Sequence, residues 1–363
     1  MRNLRRRLFV VTLCLLCLGV VMIYSASSIF AWQRMANSAY YLNRHLLFLI
    51  FGFLLSLFVM GIDYNKLKAY AKPLLLVSII LLILLLIPGL SREIGGARRW
   101  FKIFSLNFQP SEMAQITMII YVAEFISRKK SLTDDFLHGF LPVIGILALV
   151  SGLILIQPDL GTVVALSVVV LVMLFISGIN LKYILSIALL SLPALYILIF
   201  SAPYRRARML TFLNPWADPE GKGFQLIQAQ IALGSGGIFG SGLGMSKAKL
   251  SYLPAAHTDF IFSIIGEELG MIGTIGTILL FFLFVYYGFK IAYSIKDSFG
   301  HYLSFGLILL IGLKALINIG VSCALLPTKG LPLPFISYGG SSLMFDMISV
   351  ALLLNIAKAG DQI

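Results

Sequence analysis

Charge is scarce in this sequence. Only 12% of its 363 residues are Asp, Glu, Lys or Arg, about half the share found in a soluble domain. Hydrophobic residues make up 59%, and the combination excludes a water-soluble globule. Acid is scarcer than base, with 15 Asp and Glu against 28 Lys and Arg and a formal charge of +13. In a soluble chain that surplus would point to nucleic acid. Here the cations lie between apolar runs, so no nucleic acid is expected, and membrane topology, membrane lipids or an anionic lipid substrate account for them better. The three cysteines, Cys14, Cys17 and Cys323, all fall inside apolar runs, which gives neither a disulfide framework nor a metal site. HExxH, DxD and GxxxxGK[ST] are absent, and no window of the glycine-rich stretch 234–244 fits GxGxxG. A protein-built metal centre and a nucleotide cradle are therefore not expected.

What is present is a series of apolar runs long enough to cross a bilayer, at about 20 residues per crossing. Ten have cores near 8–26, 45–62, 73–89, 111–127, 140–157, 160–177, 181–201, 267–290, 302–326 and 337–357. The fold class expected is all-α: a polytopic integral membrane protein, one domain over 1–363, with a large extracytoplasmic loop at 202–258. The first run is too long for a cleavable signal and continues through Tyr24-Ser-Ala-Ser27 without a processing site. Arg2, Arg5, Arg6 and Arg7 place the N-terminus in the cytoplasm, and ten crossings return the C-terminus there. On that topology 14 cations lie inside and 13 outside, but ten of the outer ones sit in two loops. These are Arg92, Arg98, Arg99 and Lys102, then Arg205, Arg206, Arg208, Lys222, Lys247 and Lys249. Either they are solvated loop charges meeting headgroups, or they form an anion site, with clustered Arg suited to phosphate.

Within the large loop, Phe224, Ile227, Ile231 and, less strictly, Leu226 share one side of a short interfacial helix over 224–233. The stretch Gly234–Gly244 holds six glycines in eleven residues, to be read as a tightly turned loop or as backbone approaching a bulky ligand.

Ionisable groups in or beside the apolar runs are few, and each needs a partner, a watery cavity or a role. Asp259 lies where the outer loop re-enters the membrane, in Leu253-Pro-Ala-Ala-His-Thr-Asp-Phe-Ile-Phe262. It is either a helix N-cap or a general base for a hydroxyl proton, its pKa raised by desolvation and lowered by nearby cations. His257 is placed to assist it, or to serve structurally. Gln109-Pro-Ser-Glu112 and Gln157-Pro-Asp159 each set Pro at the first helical position and an acid in the first turn. Glu112 and Asp159 therefore read as helix starts within a structural polar network. Pro327–Ser342 is too rich in Pro and Gly for regular helix and must be packed by protein or line a cavity. Lys329 projects from it on the outer side, toward the anion site.

In order along the chain, the motifs Tyr24-Ser-Ala-Ser27, Gly96-Ala-Arg-Arg-Trp100, Phe108-Gln-Pro-Ser-Glu112, Gln157-Pro-Asp-Leu-Gly161, Tyr204-Arg-Arg-Ala-Arg208 and the stretch Gly234–Gly244 are followed by three more. These are Ala256-His-Thr-Asp-Phe-Ile-Phe262, Gly266-Glu-Glu-Leu-Gly270 and Leu331-Pro-Leu-Pro-Phe-Ile-Ser-Tyr-Gly-Gly-Ser-Ser342. In this order they resemble the SEDS family (shape, elongation, division and sporulation) of polytopic glycosyltransferases, and the resemblance runs nearly end to end. Ala256-His257 and Pro327-Thr-Lys-Gly330 look more like its division branch than its elongation branch.

The resemblance implies an enzyme of the bacterial plasma membrane that polymerises lipid II into peptidoglycan on the outer face. Asp259 falls on the family's proposed catalytic aspartate. It would deprotonate the acceptor GlcNAc 4-hydroxyl for inverting attack on the donor MurNAc anomeric carbon, displacing undecaprenyl diphosphate. Arg98, Arg99, Arg205, Arg208 and Lys329 would bind the diphosphate, with His257 and Glu267 near the substrate. No firm cofactor is implied, although a divalent cation bridging the diphosphate is compatible. Partners would be a class B penicillin-binding protein, supplying transpeptidation, and the division or elongation machinery.

Five positions depart from the family pattern. Ala255 stands where Glu is usual, Gly95 where Asn is usual and Met245 where Asn is frequent. Gln115 replaces a usual Lys, and Lys314 a usual Gln. Lys314 is expected to partner Glu112 or Asp346, because an unpaired buried charge costs several kcal/mol. Two readings of another class stay open: a flippase for the lipid-linked precursor, and a non-catalytic scaffold that recruits a synthase.

Overall fold

A computed structural model describes residues 1–94, 97–103, 106–128, 135–221, 223–253, 256–328 and 330–360. Each of the ten apolar runs forms a helix: α1 (Arg2–Met35), α2 (Tyr40–Gly61), α3 (Lys66–Leu84), α4 (Pro110–Arg128), α5 (Leu141–Ile156), α6 (Leu160–Ile176) and α7 (Leu181–Phe200), and later α10 (Ile261–Ser294), α11 (Ser298–Ser322) and α12 (Ser341–Ala359). Eight of the described helices are long and apolar enough to cross a membrane, and the chain is an integral membrane protein. Of the other two, α6 is a 17-residue apolar helix. The exception in composition is α4, which carries Glu112, Gln115, Thr117 and Glu124. It can do so because protein surrounds it: nearly all its side chains are buried, against α3 on one side and α11 on another. At the opposite extreme α7 buries no side chain, and Leu189 and Leu190 stand about 70% exposed. That surface is tolerable only in lipid.

Two pieces between the spans were not anticipated. Three strands, β1 (Ser91–Ile94), β2 (Ala97–Ile103) and β3 (Leu106–Phe108), form an antiparallel sheet. Arg92 faces Trp100 while Glu93 faces Arg98, so Arg99 is the extra residue of a β-bulge, a device that re-aims a side chain. The second piece is α8 (Pro203–Leu213), opening on a proline at its first position. The interfacial helix does form, as α9 (Phe224–Ser235). It buries Leu226, Ile227, Ala229 and Ala232 and leaves Ile231 half exposed, so the buried stripe is rotated from the expected one.

The glycine-rich stretch is tightly turned, with positive φ at Gly237, Gly240, Gly242 and Gly244. It is spliced, backbone to backbone, into a break in α10. Gly270 interrupts that helix with φ 65° and ψ −158°. Across the break Ser241 N donates to Glu267 O at 2.9 Å, Gly242 N to Glu268 O at 3.0 Å and Met271 N to Gly237 O at 2.9 Å. A Cβ on Gly240, itself at φ +80°, would stand 2.2 Å from the Glu268 carbonyl oxygen. Glycine is required by this approach as well as by its dihedral angle.

A candidate active site around Asp259

Asp259 sits on the turn just before α10, and three carbonyls of that turn are held in succession. Tyr338 N donates to His257 O at 3.0 Å, Ser337 Oγ to Thr258 O at 2.5 Å, and Asn318 Nδ2 of α11 to Asp259 O at 3.0 Å. Asn318 Nδ2 also reaches Leu331 O at 2.8 Å. The Pro- and Gly-rich segment after α11 is therefore a clamp for the Asp259 backbone, irregular because it is packed by protein. Its Gly330 comes close enough that a Cβ there would lie 3.3 Å from Asp259 Oδ2.

The N-cap position of α10 is taken by Phe260, with no side-chain capping hydrogen bond, so the N-cap reading of Asp259 does not hold. Instead the half-buried carboxylate lines a cavity of about 790 Å³. Three arginines from two separate elements share that cavity: Arg99 from β2, and Arg205 and Arg208 from α8. Each is oriented by backbone oxygen. Arg99 Nε donates to Gln157 O at 2.9 Å and its Nη2 to Pro158 O. Arg205 Nη1 donates to Leu198 O at 3.0 Å, and Arg208 Nη1 to Thr328 O at 3.4 Å. Arg208 also lies over the Tyr204 ring, 4.6 Å from its centroid.

Asp159 completes the polar rim. It caps α6 by accepting from Thr162 N at 3.3 Å and Thr162 Oγ1 at 2.9 Å, and stands 4.0 Å from Arg99. The remaining wall is apolar, with Val164 of α6, Leu195 and Ile199 of α7 and Met209 of α8. Burial is the largest influence on the Asp259 carboxyl. It outweighs the pull of Arg208 and Arg99, is reinforced by Asp159, and pushes the pKa up to about 6.

Of the four other expected site residues, the three that are described do not line the cavity. Arg98 is exposed and does not line the cavity, because the bulge turns Arg99 inward in its place. Lys329, like Gly95 and Ala255, lies outside the described residues. His257 is packed in an aromatic cluster with Phe30, Tyr41 and Tyr338, at centroid distances of 5.6, 4.6 and 5.9 Å. Burial lowers its pKa to about 4, so it stays neutral at physiological pH. Glu267 is occupied by the chain before the active-site turn, accepting from Lys247 N at 2.7 Å and from Ser246 Oγ. Beside it Glu268 accepts from Lys249 Nζ at 2.8 Å and Ser25 Oγ at 2.6 Å, tying the large loop to α1.

Lys314 engages both of its expected partners at once, Glu112 Oε2 at 2.6 Å and Asp346 Oδ1 at 3.3 Å. This network joins α4, α11 and α12 one helical turn from Asn318. Gln115, in the place of the family's usual lysine, donates to Ser111 O at 3.2 Å instead. Trp100, Tyr204 and Thr328 line the cavity without having been singled out in the sequence. For Tyr204 a signal existed: residues 204, 205 and 208 have the spacing of one helix face.

A family model described as "Cell cycle protein", covering FtsW, RodA and SpoVE, matches residues 5–362. A protein of Geobacter metallireducens named "Probable peptidoglycan glycosyltransferase FtsW" is 44% identical over 96% of this chain and 93% of its own length. Stage V sporulation protein E of Bacillus subtilis is 40% identical over 97% of this chain and 96% of its own. Among solved structures, one described as showing "structural coordination of polymerization and crosslinking by a peptidoglycan synthase complex" superposes with a TM-score of 0.79. It is 30% identical and covers 98% of both chains.

Proposed function

The chain belongs to the FtsW/RodA/SpoVE family of cell cycle proteins, and from that premise we propose that it is a peptidoglycan glycosyltransferase that polymerises lipid II. One observation carries the reading: the Asp259 carboxylate opens into a cavity that also holds three arginines and an apolar wall. Those are the needs of a substrate with a hydroxyl to be deprotonated, a diphosphate to be neutralised and an isoprenoid chain to be shielded.

In the forward step Asp259 accepts the proton of the acceptor GlcNAc 4-hydroxyl. The freed oxygen forms a bond to the donor MurNAc anomeric carbon from the face opposite the diphosphate. The carbon–oxygen bond to undecaprenyl diphosphate breaks, and configuration inverts. Arg99, Arg205 and Arg208 meet the charge that grows on the departing diphosphate, already aimed by their carbonyl contacts. Among the described residues no group of three His, Cys, Asp or Glu side chains is gathered for a metal. A divalent cation bridging the substrate diphosphate is compatible with this reading. The cavity faces the cell exterior, both termini are cytoplasmic, the membrane is the bacterial plasma membrane, and the partner is a class B penicillin-binding protein serving septal wall synthesis.

The test is Asp259→Ala in purified protein with lipid II and the partner transpeptidase. Polymer is expected to vanish while thermal unfolding is unchanged. Near wild-type polymerisation by the variant would sink the enzyme reading. Precursor flipping by wild type without polymer would favour a transporter, and partner recruitment alone a scaffold.

A further inference from the structure

Far from the Asp259 cavity, the first turns of α1 and the second half of α10 enclose an open groove of about 440 Å³. About 23 residues of α1 separate Arg7 from Phe30, which packs on His257. At 1.5 Å per residue that is roughly 35 Å, the thickness of a bilayer. We propose that this groove binds an anionic glycerophospholipid of the leaflet opposite the active site.

The groove has two chemically distinct ends. Arg6, Arg7 and Asn3 form one, and Val10 and Leu283 the other, one to two turns deeper along the same seam. No acid lines it, and α1 contains none along its whole length. The Arg7 guanidinium lies 5.7 Å from the centre of the Tyr287 ring on α10, which holds it at the groove while its donors stay free for phosphate. Val10 is 47% exposed, an apolar floor leading from the cations toward the membrane interior.

Positive-inside topology requires arginines near the end of a span, but not a cleft between two helices with an apolar floor. A phosphodiester with net negative charge fits the guanidinium end, and its acyl chain fits the floor. A zwitterionic headgroup brings no net charge to the first, and a soluble phosphate brings nothing to the second.

The experiment is native mass spectrometry of the detergent-solubilised full chain, titrated with phosphatidylglycerol, phosphatidylcholine or soluble glycerol phosphate. Wild type is expected to retain phosphatidylglycerol selectively. Arg6→Gln with Arg7→Gln is expected to need about 10- to 30-fold more lipid for equal occupancy, from two lost surface cations. Arg2→Gln with Arg5→Gln removes the same charge outside the groove and is expected to bind like wild type. Val10→Trp fills the groove with every arginine kept and is expected to lose binding too, which guards against a fold or orientation defect in the arginine variant. Equal loss in the two arginine pairs would overturn the proposal, as would undiminished binding by Val10→Trp or displacement of the lipid by glycerol phosphate at equal concentration.

Discussion

A general base works only when it is unprotonated, so the environment of Asp259 sets the acid side of the pH profile. With its carboxyl pushed up to about 6, polymerisation is expected to fall about tenfold per pH unit below that point and to level off above it. Arg208 is the largest influence holding the value down. Arg208→Gln is therefore expected to move the acid limb to higher pH and to raise KM for lipid II. Arg206→Gln, which removes a cation that does not line the cavity, should leave the limb in place. An unmoved limb in Arg208→Gln would separate that arginine from the base. Asn318 acts one step further back, on the backbone of Asp259, and is a positioning residue. Losing its amide frees the Asp259 carbonyl, and displacement of a base by about 1 Å can cost 100-fold. Asn318→Ala is expected to lower kcat ten- to a hundredfold with KM within about twofold. Asn318→Asp should do worse, since a carboxylate would face two carbonyl oxygens where an amide donated to both. Equal changes in kcat and KM would point to a merely structural role. Asp259 and the arginines stood out in the sequence because charge beside apolar runs demands a reason. Asn318 and Ser337 did not, since uncharged side chains give no such signal and the carbonyls they hold are 59 and 79 positions away.

Between elements, the largest electrostatic commitment is Lys314, one ammonium shared by carboxylates of α4 and α12. Removing one member of a buried ionic group strands the others, typically at about 3–5 kcal/mol. Lys314→Met is therefore expected to lower the thermal midpoint in detergent steeply. Adding Glu112→Gln and Asp346→Asn should recover most of the loss, because a buried charge network replaced whole by neutral side chains costs little. Failure of the triple variant to recover would mean that Lys314 packing, not its charge, holds α11. That Lys314 needed an acid followed from its place inside an apolar run, and its candidate partners from the departures of Gln115 and Lys314 from the pattern of the family the sequence resembles. That it takes both depended on three helices converging, which spacing cannot convey. The small sheet escaped notice for a related reason: its strands are short, and the bulge at Arg99 breaks the alternation by which strands are recognised. The glycines of 234–244 announced unusual backbone, but their partner is a break in a helix some 30 residues away. Only the folded chain shows glycine meeting glycine there, at positions 240 and 270.

Across the whole molecule, the two basic loops expected on the outer face look at first like a breach of the charge rule that orients membrane proteins. The fold shows where much of that charge goes: β2 and α8 carry Arg99, Arg205 and Arg208 to one cavity, while Lys249 is buried on Glu268. Taking those four cations out of the topological count leaves 14 against 9, a bias toward the face that bears Arg2–Arg7. The two ends of the described residues also meet, since a Cβ on Gly360 would lie 2.9 Å from the Met1 methyl group. The number of crossings is therefore even, and one orientation fixes every loop. With Cys14, Cys17 and Cys323 replaced, a cysteine introduced at Asn37 or Trp216 is expected to react with a membrane-impermeant maleimide in intact cells. One at Asn65 or Lys296 should react only after the membrane is opened. The reverse pattern would put the Asp259 cavity on the cytoplasmic side, where it could not extend a wall built outside the cell, and it would place the α1–α10 groove in the outer leaflet.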